Sequence, residues 1–305
     1  MADSSQRIMK ITVIGSSNTD MVVKTERFPK PGETIIGGEF FMFPGGKGAN
    51  QAVAAARLGG EVTFVAKIGN DVFGKQANEG FKTDNTHTNF VFTDENAASG
   101  VALITVNNSG ENEIVVASGA NGQLSKTDIK TANKAITEAD VIILQLEVPL
   151  ETVAFAVERS LKANKRVILN PAPAQTLSDE LLNGLFLITP NETEAEILTN
   201  IEVSNAATAR LAADELLKKG VQNIIITMGS KGAFFMNETE TFLMEAERVK
   251  AVDSTAAGDV FNGALAVAIA KNKSWKEAIA FANKAAAISV TRMGAQASAP
   301  KLNEL

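Results

Sequence analysis

The chain contains no cysteine, no tyrosine and a single histidine, His87. The missing thiols exclude a disulfide framework, a cysteine nucleophile and a zinc–thiolate cluster. One imidazole is too few for a histidine-clustered metal site, and a Ser-His-Asp triad would rest wholly on His87. Long apolar runs are missing too: no stretch approaches the ~18 residues of a membrane span, the longest being pieces such as 263–270. Positive charge is scarce, with 29 Lys and Arg against 35 Asp and Glu, a net charge of −6. That sign is wrong for a broad nucleic-acid surface, although an anion pocket made of a few aimed donors needs no such excess. The opening MADSSQRIMK lacks the apolar core of a secretion signal, so the sequence predicts a cytoplasmic protein without membrane or nucleic-acid partners. In that setting the Asn-x-Ser/Thr sequons at Asn107, Asn191 and Asn237 are coincidental. Chemistry is left to carboxylates, backbone amides, Asn and Gln side chains, lysine and bound metal ions.

Core material, by contrast, is ample: hydrophobic residues make up 45% of the 305. At about 150 residues per domain the length admits one large domain or two small ones. No repeat, low-complexity tract or charge run marks a linker, so 1–305 reads as a single domain. Short apolar strands (10–15, 61–68, 140–146, 165–169 and 223–228) alternate with helical stretches, among them 48–58, 72–83, 257–271 and 275–291. That alternation predicts an α/β fold with a mainly parallel sheet buried on both faces. Two places break it. Residues 34–43 are β-rich without a helix, and 101–106 and 113–117 flank Asn-Asn-Ser-Gly, a hairpin signal in which Gly110 takes positive φ. They predict a small antiparallel sheet, a lid over about 17–44 and 97–120; the plainer reading is an edge extension of the central sheet. A projecting lid would need cover for its outer face from a second subunit.

Four segments carry candidate chemistry. GGKGAN (45–50) opens a helix, where glycines allow close backbone approach and free N–H groups favour oxygen-rich or anionic ligands. It is not the dinucleotide fingerprint, because Gln51 fills the third glycine position, and no Walker A string occurs in the chain. A tight strand–helix turn with Lys47 in solvent explains it equally well. DSTAAGD (253–259) is stronger: Ala256, Ala257 and Gly258 leave first-turn amides uncovered at the positive end of an apolar helix. Asp259 there can accept a proton from a substrate hydroxyl. In ITPNETE, Asn191 and Glu194 have capping-box spacing, and the same pair can organise hydrated Mg²⁺ beside phosphates. On pattern alone the cap is favoured. TMGSKGA (227–233) is either a hairpin turn or a nucleotide-phosphate loop.

GGKGANQAVAAARLG and DSTAAGDVFNGALA, with NETE between them, resemble the two signatures and the Asn-x-x-Glu motif of the PfkB-type carbohydrate kinases. The likeness runs from GSSNTD (15–20) to TRMGAQ (291–296), and within the family it is closest to members that phosphorylate ribose. It implies a three-layer α/β sandwich with a small antiparallel β-sheet lid. The implied activity is ATP-dependent phosphorylation of D-ribose at its 5-hydroxyl, giving ribose 5-phosphate and ADP, in a homodimer joined through the lids. By the same resemblance Asn18, Asp20, Gly46, Lys47, Asn50 and Glu147 bind the sugar, with Asp259 as base and the Ala256, Ala257 and Gly258 amides as anion hole. Asn191, Thr227, Gly229, Ser230, Gly232, Gly258 and Asn283 would line the nucleotide site, and Glu194 would hold Mg²⁺ through water. A monovalent cation, K⁺, would activate from a loop matching Asp253, Thr255, Ser289, Arg292, Gly294 and Ser298. Ser254 stands where threonine is frequent, and Asn283 where one relative has histidine. The alternatives are a deoxyribose, fructose or adenosine kinase of the same family, or a sensor on the same fold. A sensor has no use for the proton acceptor Asp259.

Overall fold

The computed structural model describes residues 9–305, so the opening stretch read above for a leader lies, but for its last two residues, outside the described residues. Thirteen strands are described: β1 (Lys10–Ile14), β2 (Asn18–Lys24), β3 (Glu39–Gly45), β4 (Glu61–Gly69), β5 (His87–Asp94), β6 (Gly100–Val106), β7 (Asn112–Ala117), β8 (Val141–Leu144), β9 (Arg166–Leu169), β10 (Leu187–Ile188), β11 (Asn223–Thr227), β12 (Ala233–Asn237) and β13 (Thr241–Met244). Nine form the central sheet in the order β13-β12-β11-β10-β9-β8-β1-β4-β5. From β5 to β11 all neighbours are parallel; β12 and β13 return antiparallel at one edge.

The inner strands, such as β8 and β9, are apolar because both their faces are covered. Ile11 and Val13 of β1, with Val141 and Ile143 of β8, pack on one side against α1 (Lys47–Arg57), α2 (Val72–Thr83), α9 (Ala257–Ala270) and α10 (Trp275–Ser289). Ile14, Ile142 and Leu144 face the other layer: α3 (Lys126–Thr131), α4 (Asn133–Glu138), α5 (Leu150–Lys162), α6 (Asp179–Leu182), α7 (Glu192–Thr199) and α8 (Ala206–Lys218). The result is a three-layer sandwich. Between α1, α10 and the sheet, α9 is apolar on nearly every side. No helix among the described residues is long and apolar enough to cross a membrane.

The second sheet has the order β3-β2-β6-β7 and stands apart from the first. Its β2–β3 and β6–β7 pairs are antiparallel, whereas β2 and β6 run parallel. The parallel joint arises because the chain leaves for the lid, returns through the main body, and leaves again in the same direction. The β-rich stretch 34–43 becomes strand only from Glu39, behind Gly37 and Gly38, both at positive φ. The helix expected over 275–291 ends at Ser289.

All the parallel strands point one way, so their carboxyl ends share one edge of the sheet, the usual place for a ligand crevice in such folds. Ser16 to Asn18 follow β1, Gln145 to Glu147 follow β8, Asn170 follows β9, and Thr189 to Asn191 follow β10. The lid rises beside the same edge.

Candidate active site

The glycines of GGKGAN meet a backbone crossing. A Cβ at Gly46 would lie 2.6 Å from the Asn18 nitrogen, and one at Gly48 2.5 Å from that of Ser16. Gly46, at φ +88°, is also the N-cap of α1. The entry to α1 is therefore pressed against the turn after β1, which brings Asn18, Lys47 and Asn50 to one place. Glu147 caps α1 from a distance. Its Oε2 accepts the Lys47 amide at 2.9 Å and the Ser16 hydroxyl at 2.5 Å, a carboxylate at the positive end of the helix. Asn18 is anchored by Asn121, whose Nδ2 donates to its Oδ1 at 2.7 Å. Asp20 lies on the lid face turned toward the main body. A Cβ at Gly45 would fall 2.3 Å from its Oδ2.

Four carboxylates converge here on one ammonium. Burial, then the charges of Glu147 and Asp259, push the Asp20 carboxyl up to about 6. Burial likewise raises Glu194, partly offset by the Asn191 amide and by Lys47. At Lys47 burial opposes the charge, but Asp259, Glu147, Glu194 and Asp20 outweigh it and hold its pKa above the usual lysine value. Lys47 is thus not the solvated residue of a simple turn.

Asp259 lies in the first turn of α9 and is 6% exposed. Asn50 Nδ2 donates to its Oδ2 and Gln51 Nε2 to its Oδ1, each at 2.9 Å. Asn50 Oδ1 is buried without a partner. The N-cap Ala256 sits at φ +59°, a left-handed conformation that costs a residue with a Cβ roughly 1–2 kcal/mol. Nothing stands within 4 Å of where a Cβ at Gly258 would sit, so the helix start is open. The Ala257 amide donates to the Ser254 carbonyl at 3.2 Å, so Ala256 and Gly258 are the freer donors of the expected anion hole.

Asn191 and Glu194 form a complete capping box at the start of α7, with both bonds at 2.8 Å. This bears out the structural reading of that pair, and the Glu194 Oε1 is outside it. Asn191 also bridges to Thr227 at the end of β11, so two expected nucleotide residues adjoin. Gly229, Ser230 and Gly232 build the turn between the antiparallel β11 and β12, so TMGSKGA is a hairpin turn. A Cβ at Gly232 would stand 2.0 Å from the Met244 carbonyl. Asn283, on α10, donates to the Glu245 carbonyl at 3.3 Å.

The loops proposed for a monovalent cation meet at Asp253, whose oxygens accept the Thr255 and Gly294 amides at 2.9 Å each. Burial works against this carboxylate, but these hydrogen bonds hold its pKa below the ordinary value. The Ser289 and Ser298 hydroxyls turn back onto the carbonyls of Ala286 and Ala295, and the Arg292 side chain pairs with Glu304. With these side chains engaged, the three residues have backbone oxygens to offer a cation, that of Ser289 while it also accepts the Arg292 amide at 3.0 Å. An ionised carboxylate with loop carbonyls is a donor set suited to a hard cation.

The residues not foreseen from the sequence are Ser16, Gln51, Asn121, Gln145 and Asn170. A weak signal existed for two of them: Gln145 and Asn170 are polar residues ending otherwise apolar strands. Gln51 was visible only as the residue that spoils the dinucleotide fingerprint.

The chain is similar to known proteins along nearly its whole length. The model of the pfkB family of carbohydrate kinases matches residues 9–302. The chain is 46% identical over 294 residues to the ribokinase of Haemophilus influenzae, covering 96% of each. It is 41% identical over 297 residues to the deoxyribokinase of Salmonella typhi, covering 97% of each. The structure of Arabidopsis thaliana ribokinase complexed with ribose and ATP superposes with a TM-score of 0.90, at 32% identity and 97% coverage of both chains. The chain belongs to the pfkB family of carbohydrate kinases.

Proposed function

We propose that the protein is a ribokinase, transferring the γ-phosphoryl group of ATP to the 5-hydroxyl of D-ribose. The observation that carries this is Asp259, a buried carboxylate aimed by two amide donors beside an open helix start, with sugar-sized polar groups around it. Asp20, Asn18, Lys47, Asn50, Glu147 and the Gly46 backbone hold the sugar. Asp259 takes the hydroxyl proton as that oxygen bonds to the γ-phosphorus, and the bond to the bridging oxygen breaks to release ADP. The Ala256, Ala257 and Gly258 end of α9 meets the charge on the moving group. Such a reaction asks for positioning and electrostatics more than covalent chemistry, which accords with a chain poor in histidine and free of cysteine.

Asn191, Thr227, Gly229, Ser230, Gly232 and Asn283 hold the nucleotide. Glu194 would hold Mg²⁺ through water, and the ion would supply charge neutralisation at the phosphates. The Asp253 carboxylate and carbonyls of the 253–255 and 289–298 loops would hold a monovalent cation, K⁺, which would supply positive charge beside the start of α9. The enzyme works in the cytoplasm as a homodimer joined through the lids.

The test is ATP consumption over a panel of ribose, 2-deoxyribose, fructose and adenosine, with and without K⁺. Ribose turnover stimulated by K⁺ is the expected result. Faster turnover of deoxyribose would assign the chain to the deoxyribokinases, which match it at 41% identity. No turnover of any of them would leave a sensor.

A further inference from the structure

Behind Asp259 lies a row of buried amides. Gln51 has no exposed surface, and its Nε2 donates one hydrogen to Asp259 Oδ1 and one to Asn170 Oδ1, both at 2.9 Å. Its Oε1 accepts from Gln145 Nε2 at 2.6 Å. Asn170 Nδ2 passes on to the Thr189 carbonyl at 3.2 Å. The Thr189 hydroxyl donates to Asn262, whose Nδ2 donates to the Gly258 carbonyl at 2.8 Å. The first turn of α9 is thus gripped at the Asp259 carboxylate and at the Gly258 carbonyl.

The direction of this row is fixed. An ionised carboxylate only accepts, so the Gln51 nitrogen must face it. Reversing the amide would set the Gln51 oxygen against two acceptor oxygens and its nitrogen against the Gln145 nitrogen. Room for Gln145 is made by Gly15 at the end of β1, where a Cβ would stand 2.0 Å from Gln145 Oε1. That oxygen is buried without a hydrogen bond, which is costly for a polar atom. A glutamine held there at such a cost calls for a use beyond packing.

We propose that Gln51 is a positioning residue: braced by Gln145 and Asn170, it fixes the orientation of the Asp259 carboxylate for proton transfer. Asn50, on the sugar side, is free to take substrate with its unpartnered oxygen while Gln51 keeps the carboxylate in place. The assignment rests on the reading of Asp259 as the base.

The experiment is a double-mutant cycle on turnover with Gln51→Leu, Gln145→Leu and the pair together, at a temperature where circular dichroism shows each to be folded. A misplaced reacting group costs on the order of 10²-fold. Gln51→Leu is therefore expected to lower kcat by about that factor, with KM for ribose and for ATP changed by less than about threefold. Gln145→Leu touches neither substrate nor base, and it should lower kcat about tenfold only while Gln51 is present. The double variant should be no slower than Gln51→Leu. A purely structural role would give effects that multiply, or would lower melting temperature and leave kcat of the folded enzyme unchanged; either result overturns the proposal. Should Gln51→Leu fail to fold, the isosteric Gln51→Glu, which sets a carboxylate against Asp259, carries the same expected loss. Asp259→Asn is assayed in parallel. If it remains active, the base and the brace both fall; if it is inactive while Gln51→Leu and Gln145→Leu keep normal kcat, only the brace falls.

Discussion

At the residue scale, two aspartates show opposite compromises. Asp259 is wrapped in amide donors, and a positioned general base typically contributes 10²–10⁴ in rate. Asp259→Asn should therefore lower kcat by about that factor while ATP binding, measured by calorimetry, stays close to wild type. Asp20 is placed where ionisation is unfavourable. Its carboxyl titrates at about 6 in the folded protein against an ordinary 3.8, which corresponds to about 3 kcal/mol at most. The sign follows from which state binds the proton more tightly. The folded chain does, so this contribution is present below about pH 4 and is lost as pH rises to about 6. Asp20→Asn removes the ionisation. The variant should match the wild type in urea unfolding near pH 4, gain on it up to about pH 6, and keep a constant advantage above. It should bind sugar more weakly throughout. A constant difference across the whole pH range would contradict the placement of Asp20.

At the scale of elements, the site depends on how closely α1 meets α9. Gly263 is the contact point: a Cβ there would fall 2.8 Å from the Ala54 Cβ and the Gln51 carbonyl, and 2.9 Å from the Ala55 nitrogen. Alanine is favoured over glycine in a helix by about 1 kcal/mol. Overpacking costs about 1–3 kcal/mol, and two of the three obstructing atoms are backbone, so the clash should win. Gly263→Ala is expected to lower stability by up to about 2 kcal/mol and to reduce kcat more than either KM, since α1 carries Asn50 and Gln51. Unchanged melting and kcat would show that the helices separate freely.

The elements themselves were largely legible. Residues 72–83 were expected as a helix and α2 spans Val72–Thr83, because Asp71 caps its start and accepts the Gly74 amide. β5 escaped notice because it is an edge strand, where alternate side chains meet solvent and the apolar run breaks up. β12 and β13 were not placed as strands, although the hairpin reading of 227–233 already implied the first antiparallel return. The Gln51 brace was beyond reach for another reason. Its partners lie 94, 119 and 208 residues away, and sequence spacing carries no information about such pairs.

For the whole molecule, the lid poses the main question. Register places Met42, Met21, Leu103 and Val115 in one row across the four strands, on the face opposite Asp20. Leu103 is 54% exposed and Val115 67%. Phe40, two residues along from Met42, is 60% exposed on the same face. Apolar rows of this kind are unusual on a monomer and suit a self-complementary contact. Sedimentation velocity should give a dimer for the wild type, and Leu103→Lys with Val115→Lys should shift it to monomer. A wild-type monomer at micromolar concentration would remove the lid interface.

The roots of the lid have a mechanical consequence. Asn18, Gly45 and Gly100 stand abreast where the strands leave the body, and Val101 pairs with Ala117 one step beyond. If the lid pivots, that line is its natural axle, and distance from it sets leverage. At about 3.3 Å per residue Asp20 lies roughly 7 Å out along β2, and Lys24 roughly 20 Å. A swing of about 10° would carry the tip through roughly 3.5 Å while moving Asp20 by only about 1 Å. Any such swing would therefore widen the gap most at the rim and leave Asp20, near the root, almost in register.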